Sequence, residues 1–152
     1  ELSGIDLSHN PSESAIADAA SKILSSGAEY VLIKGGHLSG EYSSDYLISK
    51  SAAAKDADYV SGKIEISDDR RCRIETKYDV NRLDIVKFTG LRFNGDIHGS
   101  GCCLSSAIAA GLAKGYAPQK ACAVAKEFIA GAIKNAYISE SKRYSINPQY
   151  LK

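Results

Sequence analysis

The segment Tyr30-Val31-Leu32-Ile33 is a short unbroken apolar run stopped by Lys34-Gly35-Gly36-His37, and it constrains the fold more than any other feature. A strand that is apolar at consecutive positions must be covered on both faces, and a sheet flanked by helices is the usual way to cover both. Ahead of it, Ile16, Ala19, Ala20, Ile23 and Leu24 recur at helical spacing over residues 13–26. Ser12 or Ser14 is available as a cap and Gly27 as a stop. Helix, buried strand and glycine turn in that order predict an α/β fold with a parallel sheet.

Further along, Tyr46-Leu47-Ile48, residues 63–66, residues 72–76 and residues 83–88 each read as strands, and the alanine-rich segment 51–58 reads as a short helix. From Gly101 to Ala113 the chain is rich in Ala, Ser and Leu, with Leu104, Ile108 and Leu112 four residues apart. Gly115 ends that helix, and Pro118 suits the first turn of a second one over residues 118–138. Ala121, Val124, Ala125, Phe128, Ile129, Ala132 and Ile133 share one face of it. The residues after Ser139 are polar and read as irregular.

A chain of 152 residues can bury one sizeable core, so a single domain is expected. Lys and Arg number 19 against 18 Asp and Glu, a net charge of +1 that gives no basis for a nucleic-acid or anionic-membrane partner. No apolar stretch approaches the roughly 20 residues of a membrane span. The first residues, Glu1-Leu2-Ser3-Gly4, do not read as a secretory leader. Cys72, Cys102, Cys103 and Cys122 lack metal-ligand spacing, and adjacent cysteines are poorly placed to bridge each other. A reduced, cytoplasmic protein with no metal held by the cysteines is the expectation.

Chemistry concentrates at His98-Gly99-Ser100-Gly101-Cys102, where glycines open a helix. The first amides of a helix have no intrahelical acceptor, and its dipole places about half a positive charge there. Glycine lets the backbone approach a ligand closely, so the string reads as a phosphate cradle. A glycine turn that only starts a packed helix is the plain alternative. Cys102 falls where a side chain would lie beneath a bound phosphoryl group, and a helix terminus favours the thiolate. The competing reading is an inert buried cysteine, and Cys103 and Cys122 are assigned to packing. Lys34, at the end of the apolar strand, is placed to neutralise a phosphate, or else to sit on the surface beside a tight turn.

Residues 31–37, then His98-Gly99-Ser100-Gly101-Cys102 and Leu104-Ser105-Ser106-Ala107-Ile108-Ala109-Ala110-Gly111-Leu112, resemble the hydroxymethylpyrimidine/phosphomethylpyrimidine kinase family of thiamine biosynthesis, within the ribokinase-like superfamily. Leu2-Ser3-Gly4-Ile5 and Ala125-Lys126-Glu127-Phe128-Ile129 share in the resemblance. It implies a ribokinase-like three-layer α/β/α fold with a mainly parallel sheet, of which residues 1–152 form the C-terminal, ATP-binding part of one domain. The family's N-terminal half, with its Asn-x-x-Glu magnesium motif and most of the pyrimidine pocket, has no counterpart, so an incomplete kinase is expected. The resemblance also implies ATP and Mg²⁺ as cofactors, a pyrimidine alcohol or its monophosphate as acceptor, and a homodimer as a candidate assembly. Gly99, Ser100, Gly101 and Cys102 would form the anion hole for the transferring phosphoryl group, with Cys102 also in the position of the catalytic base. Lys34 would approach the ATP phosphates, and Gly35, Gly36 and His37 would line the nucleotide loop. Members typically read Gly-Thr-Gly-Cys-Thr, so Ser100 and Cys103 depart from the pattern, as does the stretch 88–97. A pyridoxal or hydroxyethylthiazole kinase and a non-catalytic nucleotide-binding remnant are the rival readings.

Overall fold

The computed structural model describes residues 2–8, 11–35, 40–50, 64–66, 72–78, 83–140 and 142–150, with backbone alone at 64–66 and 72–78. They fall into two compact units, Glu1–Arg92 and Phe93–Lys152. The helix expected over 51–58 lies outside the described residues.

The first unit begins with helix α1, Glu13–Ser25, whose start is fixed by Ser12: its Oγ accepts the Ala15 N–H at 3.2 Å. That is an ordinary N-cap, worth about 1 kcal/mol over alanine. Strands β1 (Tyr30–Ile33), β2 (Tyr42–Lys50), β3 (Ile64–Ile66), β4 (Cys72–Tyr78) and β5 (Leu83–Leu91) form one sheet in the order β1-β2-β5-β4-β3. Each neighbouring pair is antiparallel. The expected mainly parallel sheet is therefore corrected for these residues. Only residues 34–41 separate β1 from β2, and a parallel return needs a crossover of roughly a dozen or more. A continuous apolar run reports burial on two faces, and strand direction is set by the length of the connection.

One face of this sheet is closed by α1. Its Ile16, Ala17, Ala20 and Leu24 pack with Val31, Tyr46, Ile48 and Leu83 in a single core cluster. Leu24 and Ile48 are fully buried, and each such side chain contributes about 1.5–3 kcal/mol of burial. Alternation along β2 and β5 turns Asp45, Leu47, Ser49, Asp84, Val86 and Phe88 to the opposite face, where all six are also buried.

The second unit contains β6 (Ile97–His98), helix α2 (Ser100–Ala113), helix α3 (Pro118–Lys134), β7 (Tyr137–Ile138) and β8 (Tyr144–Ser145). Pro118 occupies the first turn of α3 as the sequence predicts. The two helices approach closely through small residues: a Cβ added at Gly111 would come within 3.1 Å of the Ala121 Cβ. The apolar pattern reaches to residue 138, but α3 stops at Lys134 because Tyr137 and Ile138 leave to pair with β8. The tail after Ser139, read as irregular, contains one short strand among its described residues. Strand β8 runs parallel to β6, with Ile97 opposite Tyr144 and His98 opposite Ser145, and the rings of Phe93 and Tyr144 meet edge to face at 5.0 Å. No helix among the described residues is long and apolar enough to cross a membrane.

Candidate functional site

The corner predicted from the glycine string is built from β6, one left-handed residue and the start of α2. Gly99 is the N-cap with φ 87° and ψ −9°. That conformation is open to glycine and costs other residues about 1–2 kcal/mol. It turns the chain abruptly from strand into helix. The first intrahelical bond runs from the Cys103 N–H to the Gly99 carbonyl at 3.0 Å, so the amides of Ser100, Gly101 and Cys102 have no acceptor within the helix. No side chain caps this end and no acidic residue occupies its first turn. Three amides and the positive end of the helix dipole are thus left for an anion.

The turn is braced from the C-terminal side. The Ile146 N–H donates to the His98 carbonyl at 3.2 Å, and the Ile146 Cγ2 lies 3.1 Å from where a Cβ on Gly99 would stand. Ile146 is a contributor that the sequence did not signal, because nothing in a polar tail marks one residue as the prop of a distant turn. Cys102 is exposed, Cys103 half-buried and Cys122 buried. The exposure of Cys102 removes the reading of an inert buried thiol, whereas Cys122 fits its packing assignment. Ser105, one turn into α2, donates its hydroxyl to the Gly101 carbonyl at 3.1 Å, leaving the amide side of the helix start untouched.

The second predicted element, Lys34-Gly35, belongs to the first unit. Lys34 is exposed directly after β1, and Gly35 is buried. A Cβ at Gly35 would collide with the Ser44 carbonyl, so glycine is required for the turn to lie against β2. The Gly35 N–H donates to Asp45 Oδ1 at 3.0 Å in a buried bond, and the Gly35 carbonyl accepts from the Arg92 guanidinium at 3.2 Å. Asp45 and Arg92 were both missed from sequence. The only available signal was a carboxylate within a strand that otherwise buries consecutive residues. Gly36 and His37, predicted for the nucleotide loop, lie outside the described residues.

Among the described residues no group of three or more His, Cys, Asp or Glu side chains is arranged to hold a metal ion. The free amides at the start of α2 do match what a phosphoryl group needs.

The family model for phosphomethylpyrimidine kinase matches residues 61–147. The hydroxymethylpyrimidine/phosphomethylpyrimidine kinase of Rhizobium meliloti (strain 1021) is 34% identical over 124 residues, covering 82% of this chain and 35% of that protein. The pyridoxine kinase of Bacillus subtilis (strain 168) is 31% identical over 151 residues, covering 96% of this chain and 44% of that one. Among solved structures, an ADP complex of Bacillus subtilis pyridoxal kinase superposes with a TM-score of 0.66 at 28% identity, over 99% of this chain and 46% of that one. Staphylococcus aureus pyridoxal kinase in complex with AMP-PCP, at 24% identity and a TM-score of 0.61 over 93% of this chain and 41% of that one, shows the shared fold. The chain thus spans between about a third and a half of the length of these relatives. With the family model covering more than half of its residues, the chain belongs to the phosphomethylpyrimidine kinase family.

Proposed function

We propose that the complete protein transfers the γ-phosphoryl group of ATP to the hydroxymethyl group of a pyrimidine alcohol, and then to the resulting monophosphate, in cytoplasmic thiamine biosynthesis. In this reading both units belong to the C-terminal, ATP-binding part of one ribokinase-like domain. The observation that carries the proposal is the start of α2, where a left-handed Gly99 leaves the amides of Ser100, Gly101 and Cys102 without helical partners.

Phosphoryl transfer asks little covalent chemistry of a protein and depends on positioning and charge stabilisation. The three amides receive the negative charge that builds on the equatorial oxygens of the moving phosphoryl group, at the positive end of a helix dipole. Cys102 Sγ, exposed at the third position of the helix, takes the proton from the attacking alcohol as its oxygen bonds to phosphorus and ADP leaves. Lys34 offers a point charge to the phosphates of the nucleotide. Magnesium, when bound with the nucleotide, would supply further positive charge to its phosphates.

The test is a set of phosphorylation assays on the complete protein with MgATP and, side by side, hydroxymethylpyrimidine, its monophosphate, pyridoxal and hydroxyethylthiazole. Preference for the first two supports the proposal. Preference for pyridoxal would replace it with the second reading, to which the likeness to solved pyridoxal kinases gives only weak support. In the same protein Cys102→Ala is expected to lower kcat by about 10²-fold or more, the range of a lost general base, while ATP affinity stays within about threefold. Full turnover by Cys102→Ala would remove the thiol from the mechanism.

A further inference from the structure

The Gly35 turn is held more firmly than a surface turn requires. Its amide proton goes to Asp45 Oδ1 at 3.0 Å, and Asp45 is only 5% exposed. Its carbonyl receives the Arg92 guanidinium at 3.2 Å, and the same side chain donates to the Tyr42 carbonyl at 2.9 Å and, through Nε, to the Gly40 carbonyl at 2.8 Å. The Arg92 backbone adds a bond from its N–H to the Glu41 carbonyl at 2.8 Å. One arginine therefore gathers three carbonyls from either side of residues 36–39, and a buried carboxylate takes the neighbouring amide.

These contacts bear on Lys34 through covalent geometry. The Gly35 N–H lies in the peptide plane that directly follows the Lys34 Cα, so the Asp45 bond fixes the backbone torsion on that side. On the other side, Ile33 is held in β1 opposite Tyr46, the residue after Asp45. Lys34 is thus an exposed, flexible ammonium on a backbone clamped at both neighbours. Nothing in the packing of α1 against the sheet needs this clamp, because the core cluster contains neither Asp45 nor Arg92.

We infer that Asp45 and Arg92 are positioning residues for the nucleotide: through the two peptide groups of Gly35 they set the point from which Lys34 presents its ammonium to the ATP phosphates. The inference rests on the reading of Lys34 given above. Arginine is required because its planar fork reaches several carbonyls at fixed angles, which a lysine ammonium does not reproduce.

The experiment measures the dissociation constant of MgATP by calorimetry on the complete protein, so that the acceptor is immaterial. Lys34→Ala, Arg92→Lys and Asp45→Ala are each expected to weaken binding by about tenfold, the scale of one lost charge-assisted contact. Asp45→Asn, which keeps an acceptor oxygen for the Gly35 N–H, restores binding to within about threefold of the wild type. In the Lys34→Ala background, Arg92→Lys and Asp45→Ala add less than about twofold, since both act through the ammonium already removed. If Lys34→Ala leaves the constant unchanged, the reading of Lys34 fails and the inference goes with it. If Lys34→Ala weakens binding but the other two do not, or if they keep their full effect in its background, the positioning role is wrong while Lys34 stands. Should Asp45→Ala fail to fold, Arg92→Lys alone decides between these outcomes.

Discussion

Gly99→Ala places a Cβ on a residue with φ 87° and ψ −9°, where an L side chain is strained by about 1–2 kcal/mol. The new methyl also meets the Ile146 Cγ2 at 3.1 Å, and pushing that side chain off its rotamer costs about 0.5–1.5 kcal/mol more. Against this, alanine loses less backbone freedom on folding, an offset of about 0.4–1 kcal/mol. The net expectation is a destabilisation of about 0.5–3 kcal/mol, a sizeable part of the roughly 5–15 kcal/mol that holds an ordinary domain together. Urea unfolding of the complete protein, followed by far-UV circular dichroism and extrapolated linearly, resolves a change of this size. Two companions separate the causes. Gly99→Asn keeps the contact but tolerates the left-handed backbone, so it recovers much of the loss. Ile146→Ala in the Gly99→Ala background removes the contact alone, and a double-mutant cycle reads that part as the coupling energy. Gly99→Ala within about 0.3 kcal/mol of the wild type, the usual scatter of independent sites, would refute the claim that this turn demands glycine.

Two further expectations concern stability elsewhere. Asp84 is buried opposite Ser49, and its Oδ2 has no hydrogen-bond partner among the described residues. Burial pushes its carboxyl above the ordinary carboxylate range. The folded state then holds the proton more tightly than the unfolded chain, so this group stabilises fully below its unfolded value and the benefit is lost as pH rises through the folded one. Asp84→Asn should therefore flatten the fall in stability between acid and neutral pH, measured by denaturant titration across that window, and an unchanged slope would show that Asp84 does not set it. On α3, a Cβ at Gly131 would collide with the Tyr150 ring, so Gly131→Ala should lower Tm by the equivalent of about 1–3 kcal/mol of overpacking. With Tyr150→Ala already present the sign should reverse, because alanine is the better helix former by about 1 kcal/mol; a persistent loss of Tm would mean that the ring is not the obstacle.

Local signals carried the elements, and long-range ones were invisible. The apolar spacing of Ile16 to Leu24, the cap at Ser12 and the stop at Gly27 located α1, because a helix is decided by neighbours three and four residues apart. The glycines of 99–101 located the strand-to-helix corner, because backbone freedom is written in the residue type itself. The direction of β1 was legible in principle from the short link to β2 but was masked by the burial signal, which does not encode direction. Arg92 and Ile146 were beyond reach. An arginine after a strand and an isoleucine in a polar tail acquire roles only when folding brings carbonyls from residues 35, 40 and 42, or the turn at residue 99, beside them.

The parallel pairing of β6 with β8 has a consequence for how the protein is made. The turn at Gly99 is braced by residue 146 and the strand before it, so on a growing chain α2 emerges from the ribosome well ahead of the segment that steadies its start. Until residues 144–146 follow, β6 displays an unpaired edge, the kind of surface that invites wrong strand partners. Chains stalled short of Ile146 lack the amide that donates to the His98 carbonyl, and the turn at Gly99 loses that brace. Locally unbraced chains of this kind fall to the chaperones and proteases that triage incompletely folded protein.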